Sequence, residues 1–428
     1  MNACTAIVGI NWGDEGKGRM VDLLTEAFDV VIRYQGGANA GHTVINQFGE
    51  FEIHALPSGI FRKGVVNVIG NGVALDPEML LGEIRMLQEK GVSITPENLM
   101  ISERASLLLP WHRKQETLEE ERLQKLGEKQ FGSSRLGIGP FYADKHLKKT
   151  ILAGELFYPE IFHKNLENLR IWKNLELTGV YGADPVTEEE LDVWVKEYCE
   201  PLKPFIADTR TFLLNAQNEN KRILFEAQMG ALRDLDFGVY PYTTSSNVLA
   251  SYAPVGSGMP GVEIDRIIGV VKSYSTCVGK GHFVSELQGE EARKMREACR
   301  ETDKLYHRIG PMDLVATRYG VKVQAATEIA LTKLDVLGAL DEIPVCVRYR
   351  YKDKEYEEMP FPSILSDCEP VYEMMKGWKC DISGIRNWWD LPEEAQNYVK
   401  RIEEATGVVI KWISVGPERH SIIRRGQT

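Results

Sequence analysis

The chain of 428 residues lacks several common signals, and each absence narrows its class. Its seven cysteines (Cys4, Cys199, Cys277, Cys299, Cys346, Cys368, Cys380) are scattered, odd in number and never spaced C-x-x-C. This argues against a structural zinc site or a disulfide framework and suits a reducing compartment. The opening residues carry no basic segment and too short an apolar run for a secretory leader. Nowhere do about eighteen apolar residues follow one another, so no membrane span is expected and the sequence reads as cytoplasmic. An excess of positive charge is also missing: 51 Lys and Arg against 62 Asp and Glu leave −11. That field repels nucleic acid and anionic lipid, while a locally basic pocket for a small anion stays open. No repeat, low-complexity tract or Ser/Gly-rich linker divides the chain.

What the chain does have is alternation. Short apolar runs at Thr5–Ile10, Val30–Tyr34, Val65–Ile69, Ile223–Phe225, Ile267–Val271, Ile329–Leu331 and Val408–Ile413 read as buried strands. Helical patterns fall between them, at Arg19–Thr25, Pro77–Lys90 and Pro392–Ala405, the last stopped by Gly407. The pattern predicts an α/β fold with a mostly parallel central sheet, as one large domain over residues 1–428. Residues 110–222 are richer in charge and helix formers, including Lys114–Lys129 and Thr187–Glu200, and read as a helical insertion packed on the sheet. The acidic runs Glu119–Glu121 and Glu188–Glu190 read as solvated helix faces. Trp378, Trp388 and Trp389 read as packing beneath the C-terminal helix.

Three loops carry chemistry. Gly9-Ile-Asn-Trp-Gly13-Asp14-Glu15-Gly16-Lys17-Gly18 lies between a strand and a helix and is similar to a P-loop. In such a loop, backbone amides at a helix N-terminus cradle phosphate and a lysine adds charge. Asn11 replaces the first glycine and Gly18 the usual hydroxyl residue, so a magnesium ligand must come from elsewhere, and Asp14 is close. Gln35-Gly-Gly-Ala-Asn39-Ala-Gly41-His42-Thr43 follows the next strand and brings a histidine to the same sheet edge. Finally, Thr332-Lys333-Leu334-Asp335 follows an apolar strand. A carboxylate there can accept both the N1–H and the 2-amino hydrogens of guanine, which selects GTP over ATP.

Together with His54–Gly59, Ile69–Gly72, Tyr240–Asn247 and Ser414–Pro417, these loops resemble adenylosuccinate synthetase along essentially the whole chain. The resemblance implies a homodimeric ligase that uses GTP and Mg²⁺ to join aspartate to inosine monophosphate (IMP). It implies Asp14 as general base at purine N1 and metal ligand, His42 as acid in phosphoryl transfer, and Lys17 as phosphate ligand. Gly13, Glu15, Gly16, Lys17, Gly18, Gly41, His42 and Thr43 would hold GTP, with the Gly41 carbonyl on the metal. Lys333, Asp335, Ser414, Val415 and Gly416 would bind guanine. Asp14, Asn39, Ser134, Lys148, Gln228, Thr244 and Val278 would line the monophosphate site, Lys148 from across a dimer interface.

Departures from the family cluster at one place. Its Thr-Thr-Gly loop and four arginines, which grip aspartate, align with Glu301–Lys304 and Leu305–Arg308, where only Arg308 remains of the run. Thr302, His307 and Arg308 are the amine-site candidates there. Met229 stands at a family glutamine, Cys277 at a common arginine, and Lys148 at an arginine; Arg135 is shifted by one place. Either Lys280, His282, His307 and Arg308 supply replacement charge, or the amine or the purine nucleotide differs. A guanylate-type substrate, as in phage relatives, fits less well because Asp14 is kept. A non-enzymatic GTP-binding regulator is the reading from another class, and it has no need of His42.

Overall fold

A computed structural model describes residues 4–46, 48–127, 130–302 and 307–426. The apolar runs become strands because each is buried on both faces. In β1 (Cys4–Gly9) and β2 (Val30–Arg33) every residue is buried. Successive side chains enter opposite layers: Ala6, Val8, Ile32 and Phe225 join one core cluster, while Ile7, Val31 and Leu224 join another. Burial on both faces explains why these strands read as continuous apolar stretches rather than alternating ones.

They lie in a ten-stranded sheet. Its order is Ile422–Arg424, Ile410–Ser414, Glu328–Thr332, Arg266–Lys272, β1, Ile223–Glu226, β2, Val66–Ile69, Leu99–Ser102 and Ile206–Ala207. Every pairing is parallel except that of Ile422–Arg424 with Ile410–Ser414. A helix α1 (Lys17–Leu24) follows β1, and a hairpin of β3 (His42–Asn46) and β4 (Gly49–Ile53) follows β2. The C-terminal helix runs Glu393–Thr406 and ends at Gly407 with φ +71°, a left-handed stop that suits glycine.

Residues 110–222 form helices at Pro110–Lys125, Ile138–His146, Pro159–Gly179, Glu188–Trp194 and Thr209–Asn218. Trp111, Phe162, Leu166 and Trp194 from this region pack with Leu99 and Ile101 of the sheet. The region also contributes Ile206–Ala207, the sheet's edge strand, which the sequence reading lacks. The helix expected over Lys114–Lys129 starts earlier, at Pro110, and ends at Lys125; residues 128–129 lie outside the described residues. A further sheet, Met312–Asp313, Glu342–Tyr351, Lys354–Tyr356 and Glu369–Lys376, was not anticipated. Its central strand is half-exposed and contains Pro344, so it carries neither a clean alternation nor a buried run.

Two minor expectations need correction. Trp378 and Trp388 are buried beneath the C-terminal helix, but Trp389 is 78% exposed. In the run 119–121, Glu120 is buried rather than solvated, because its carboxylate turns inward toward the amides of Gly132 and Ser133. Among the described residues, no helix is long and apolar enough to cross a membrane.

Candidate active site

Parallel strands deliver their following loops to one edge of the sheet, where ligands of open α/β sheets bind. Here that edge holds a cavity of about 1350 Å³, larger than one small-molecule site usually requires. It is lined by residues from the loops after β1, β2, Ile223–Glu226, Arg266–Lys272, Glu328–Thr332 and Ile410–Ser414.

The first loop is braced from within. The Glu15 carboxylate accepts the amides of Asn11 (3.1 Å) and Gly13 (2.8 Å) and the Lys17 ammonium (2.6 Å). Lys17 and Glu15 are both buried, so the ammonium finds its partner inside the loop rather than in water. Thr332 ties the loop to the neighbouring strand by donating its hydroxyl to the Glu15 carbonyl (2.7 Å). Helix α1 begins after Gly16, at φ +95°, with no side chain capping it. Its first-turn amides are therefore available to an anion, as the dipole favours.

The second loop approaches the first at Gly18. A Cβ there would lie 2.7 Å from the Cβ of His42, so only glycine allows the two turns to touch. His42 Nδ1 is 2.5 Å from Glu226 Oε1, and Glu226 also accepts the Ser58 amide (2.8 Å) and hydroxyl (2.5 Å). Burial, aided by the Arg33 and Lys17 charges, lowers the His42 pKa to about 4 against the pull of Glu226. Burial works to raise the Glu226 carboxyl, but Arg33, His42 and Ser58 outweigh it and hold it near about 2. The pair at neutral pH is thus a carboxylate and a neutral imidazole with its hydrogen on Nδ1. His42 Nε2 is buried, has no hydrogen-bond partner among the described residues, and belongs to a residue lining the cavity.

Asp14, at φ +58°, faces a different group of charges. Its Oδ2 accepts Lys272 Nζ (2.9 Å) and lies 3.5 Å from His307 Nδ1. Lys272 also donates to Thr276 (2.8 Å) and reaches Glu301 (3.3 Å). Glu301 in turn accepts Tyr274 Oη (2.5 Å) and Lys333 Nζ (2.8 Å). Burial opposes ionisation of Glu301, yet His307, Lys272 and Lys333 hold its carboxyl far below the ordinary range. Burial alone would discharge Lys272, but Asp14 and Glu301 raise its pKa instead.

The remaining candidates divide cleanly. Gly13, Glu15, Gly16, Lys17, Gly18, Asn39, Gly41, Thr43, Ser134, Thr244, Val278, His307, Lys333, Asp335 and Gly416 all line the cavity with Asp14 and His42. Burial raises the Asp335 carboxyl, with Arg300, Arg19 and Lys333 acting the other way. Ser414 and Val415 sit behind the lining, Ser414 accepting Arg19 and donating to the Gly416 carbonyl (3.2 Å). Gln228 is buried and faces the second loop, accepting the Gly37 amide (3.2 Å) and donating to the His54 carbonyl (3.3 Å), while Met229 lines the cavity. Lys148 and Thr302 are exposed and outside the lining. Arg308 is also outside it, spent on Glu286 and the Gly281 carbonyl (2.7 Å). Residues 303–306 of the altered loop lie outside the described residues.

Sequence reasoning missed Lys272, Glu226, Tyr274 and Arg233. Lys272 and Glu226 had one usable signal, a charged residue closing an apolar strand at the edge where ligands bind. Arg233 and Tyr274 had none, because their roles depend on segments far apart in the chain.

Known proteins match the chain along nearly its whole length. The adenylosuccinate synthetase family model covers residues 6–423. The chain is 45% identical over 423 residues to the adenylosuccinate synthetase of Halothermothrix orenii, covering 98% of both chains. It is also 45% identical over 424 residues to adenylosuccinate synthetase 2 of Pseudoalteromonas translucida, covering 98% of this chain and 99% of that one. Fully ligated adenylosuccinate synthetase from Plasmodium falciparum superposes with a TM-score of 0.90 at 34% identity, over 100% of both chains. The succinoaminodeoxyadenylate synthetase of cyanophage S-2L, at a TM-score of 0.63 and 18% identity, shares the fold. The chain belongs to the adenylosuccinate synthetase family.

Proposed function

We propose that this protein is a GTP-dependent ligase that activates the 6-oxo group of IMP and joins the amine of L-aspartate at C6. The observation that carries this reading is the meeting of two glycine turns at Gly18 and His42, with Asp14 and Lys17 on the same cavity. A ring carbonyl is a poor leaving group, so an amine needs it activated first. Asp14 takes the N1 proton, charge moves to O6, and O6 attacks the γ-phosphorus of GTP, releasing GDP. The amine nitrogen then adds at C6, and O6 departs with its phosphoryl group as inorganic phosphate. Lys17 and the amides opening α1 neutralise the charge that spreads over the phosphoryl oxygens.

His42 enters neutral, with Nε2 buried and unpaired among the described residues. An incoming triphosphate adds negative charge beside it and favours the imidazolium, which turns Nε2 into a donor to the phosphoryl group. The oxygen donors of Asp14 and the Gly41 carbonyl suit a hard cation and would hold Mg²⁺, which would supply positive charge for phosphoryl transfer. Asp14, Glu301 and His307 also converge, but Lys272 and Lys333 already match Glu301, so that trio is a poor cation site.

Asp335 and Lys333 select guanine; Asn39, Ser134, Thr244 and Val278 receive IMP. A homodimer accompanies this reading: around the helix Pro159–Gly179, Leu147, Phe157, Tyr158, Ile161 and Leu175 are exposed, beside Lys148. Seven free cysteines, five of them buried, fit a reducing cytoplasm. The test supplies GTP, Mg²⁺ and IMP with single amino acids and identifies the product by mass. Aspartate should give adenylosuccinate, and Asp14→Ala should cut turnover at least about a hundredfold with the circular dichroism spectrum unchanged. A variant that turns over like the wild type removes Asp14 as the base.

A further inference from the structure

Most cations lining the cavity already have an acid partner. Lys17 meets Glu15, Lys272 meets Asp14 and Glu301, Lys333 meets Glu301, and Arg419 meets Asp22. Arg308, just outside, is matched by Glu286. At the purine end Arg19 is held by Ser414 and main-chain carbonyls. At the opposite end two cations stand apart. Arg233 donates to the carbonyls of Tyr242 (2.5 Å), Lys280 (3.1 Å) and Val278 (2.5 Å) and to Cys277 Sγ (3.1 Å). Lys280 donates to the neutral Gln130 side chain (2.7 Å). Among the described residues, neither has a carboxylate within ion-pair distance, and both line the cavity.

Their position ties them to the reacting end. Val278, which anchors Arg233, pairs across two antiparallel strands with His307, and His307 Nδ1 lies 3.5 Å from the Asp14 carboxylate. A guanidinium held by carbonyls and a thiol, with no carboxylate beside it among the described residues, is fixed in direction with its charge unmatched, a state that favours an anionic ligand. An amine carrying two carboxylates must find two positive charges on leaving water. Lys272 and Lys333 cannot serve, since Glu301 and Asp14 have taken them.

We propose that Arg233 and Lys280 are the specificity-determining clamp for a dicarboxylic amine substrate, with Arg233 the main anchor and Lys280 the mobile second point. The inference rests on the ligase reading above and goes beyond it, by assigning residues to amine recognition in place of the missing arginine run. It requires the nucleotide sites to be indifferent to both side chains.

The experiment measures GTP- and IMP-dependent phosphate release with aspartate varied, for the wild type, Arg233→Leu, Arg233→Lys and Lys280→Ala. Arg233→Leu should raise the KM for aspartate about thirtyfold, as losing one close carboxylate pair does, with the KM values for GTP and IMP within about twofold. Lys280→Ala, at an exposed position, should raise it about threefold. Arg233→Lys should fall between. An unchanged KM for aspartate overturns the clamp, as does a rise for IMP alone or for all three substrates together. Should Arg233→Leu fail to fold, inhibition of the wild type decides: succinate should compete with aspartate where propionate at equal concentration does not. Equal inhibition by the two acids overturns the clamp. If the wild type makes no aspartate adduct at all, the ligase reading falls and takes the clamp with it. Normal wild-type turnover with an indifferent Arg233→Leu removes the clamp alone.

Discussion

The cavity has two ends built on different principles. The end proposed for phosphate comes from two short stretches, 13–18 and 39–43, whose amides, glycines and nearby charges are local in sequence. The end proposed for the amine gathers Arg233, Lys272, Lys280, Glu301 and His307 from separate segments. Phosphate is held by backbone amides at a helix start, so the recognising element is a loop shape that few sequences can form. Carboxylates are held by side-chain cations, which can be moved from one segment to another while the backbone stays the same. On the reading proposed above, the phosphate end depends on a backbone shape and the amine end on side chains that a change of sequence can move.

The strongest way to break that contrast is at His42. If the phosphate end is fixed by function, His42→Ala should lower kcat by about 10²- to 10⁴-fold, with a much smaller change in the KM for GTP. Steady-state phosphate release with saturating IMP and aspartate measures this. A loss confined to KM would mean that His42 only positions the triphosphate.

The same contrast decides what could be read before any coordinates. Seven of the ten strands of the central sheet were legible because burial on both faces leaves an unbroken run, as in Cys4–Gly9 and Val30–Arg33. The strand Glu342–Tyr351 was not, since one half-exposed face and an internal proline blur its period. His42 was legible as a residue of the ligand edge from its glycine turn, but its Glu226 partner lies 184 positions away and is joined to it only by the order of strands. Gln228 shows the limit of reading by neighbourhood. It stands next to a cavity residue in sequence, yet a left-handed backbone at Met229 (φ +60°) helps turn the two side chains opposite ways. Glu15, read as a GTP ligand, lines the cavity with its carboxylate committed to the loop's own amides and to Lys17, which no sequence pattern shows.

A smaller effect is expected at the purine end, which sharpens the comparison because it also uses a side chain. Asp335→Asn keeps the shape but replaces one acceptor with a donor facing the 2-amino group of guanine. The preference for GTP over ATP should fall by about ten- to hundredfold, the worth of a hydrogen bond to a charged group. Competition between the two nucleotides in the ligase assay measures it, and an unchanged ratio would remove Asp335 from the guanine site.

The least effect is on stability, and it tests the charge state on which the fixed end depends. His42 holds a pKa of about 4 in the folded chain, whereas an unfolded histidine titrates near about 6.5. Between those values the unfolded chain binds a proton that the folded chain refuses, so stability falls as the pH drops from about 6.5 to about 4. Buried His112, whose pKa is also lowered, acts in the same direction, so the wild type alone does not isolate His42. The difference between wild type and His42→Asn does: the variant should lose less stability over that window, by at most about 3 kcal/mol. Chemical denaturation at pH 7 and pH 4.5 measures it. Binding of a GTP analogue should then raise the His42 pKa, visible as a shift of its imidazole proton resonances at constant pH. An imidazole already protonated at pH 7 without nucleotide would mean that Glu226, not the incoming phosphate, sets its charge, and the order of proton movements proposed for this end would reverse.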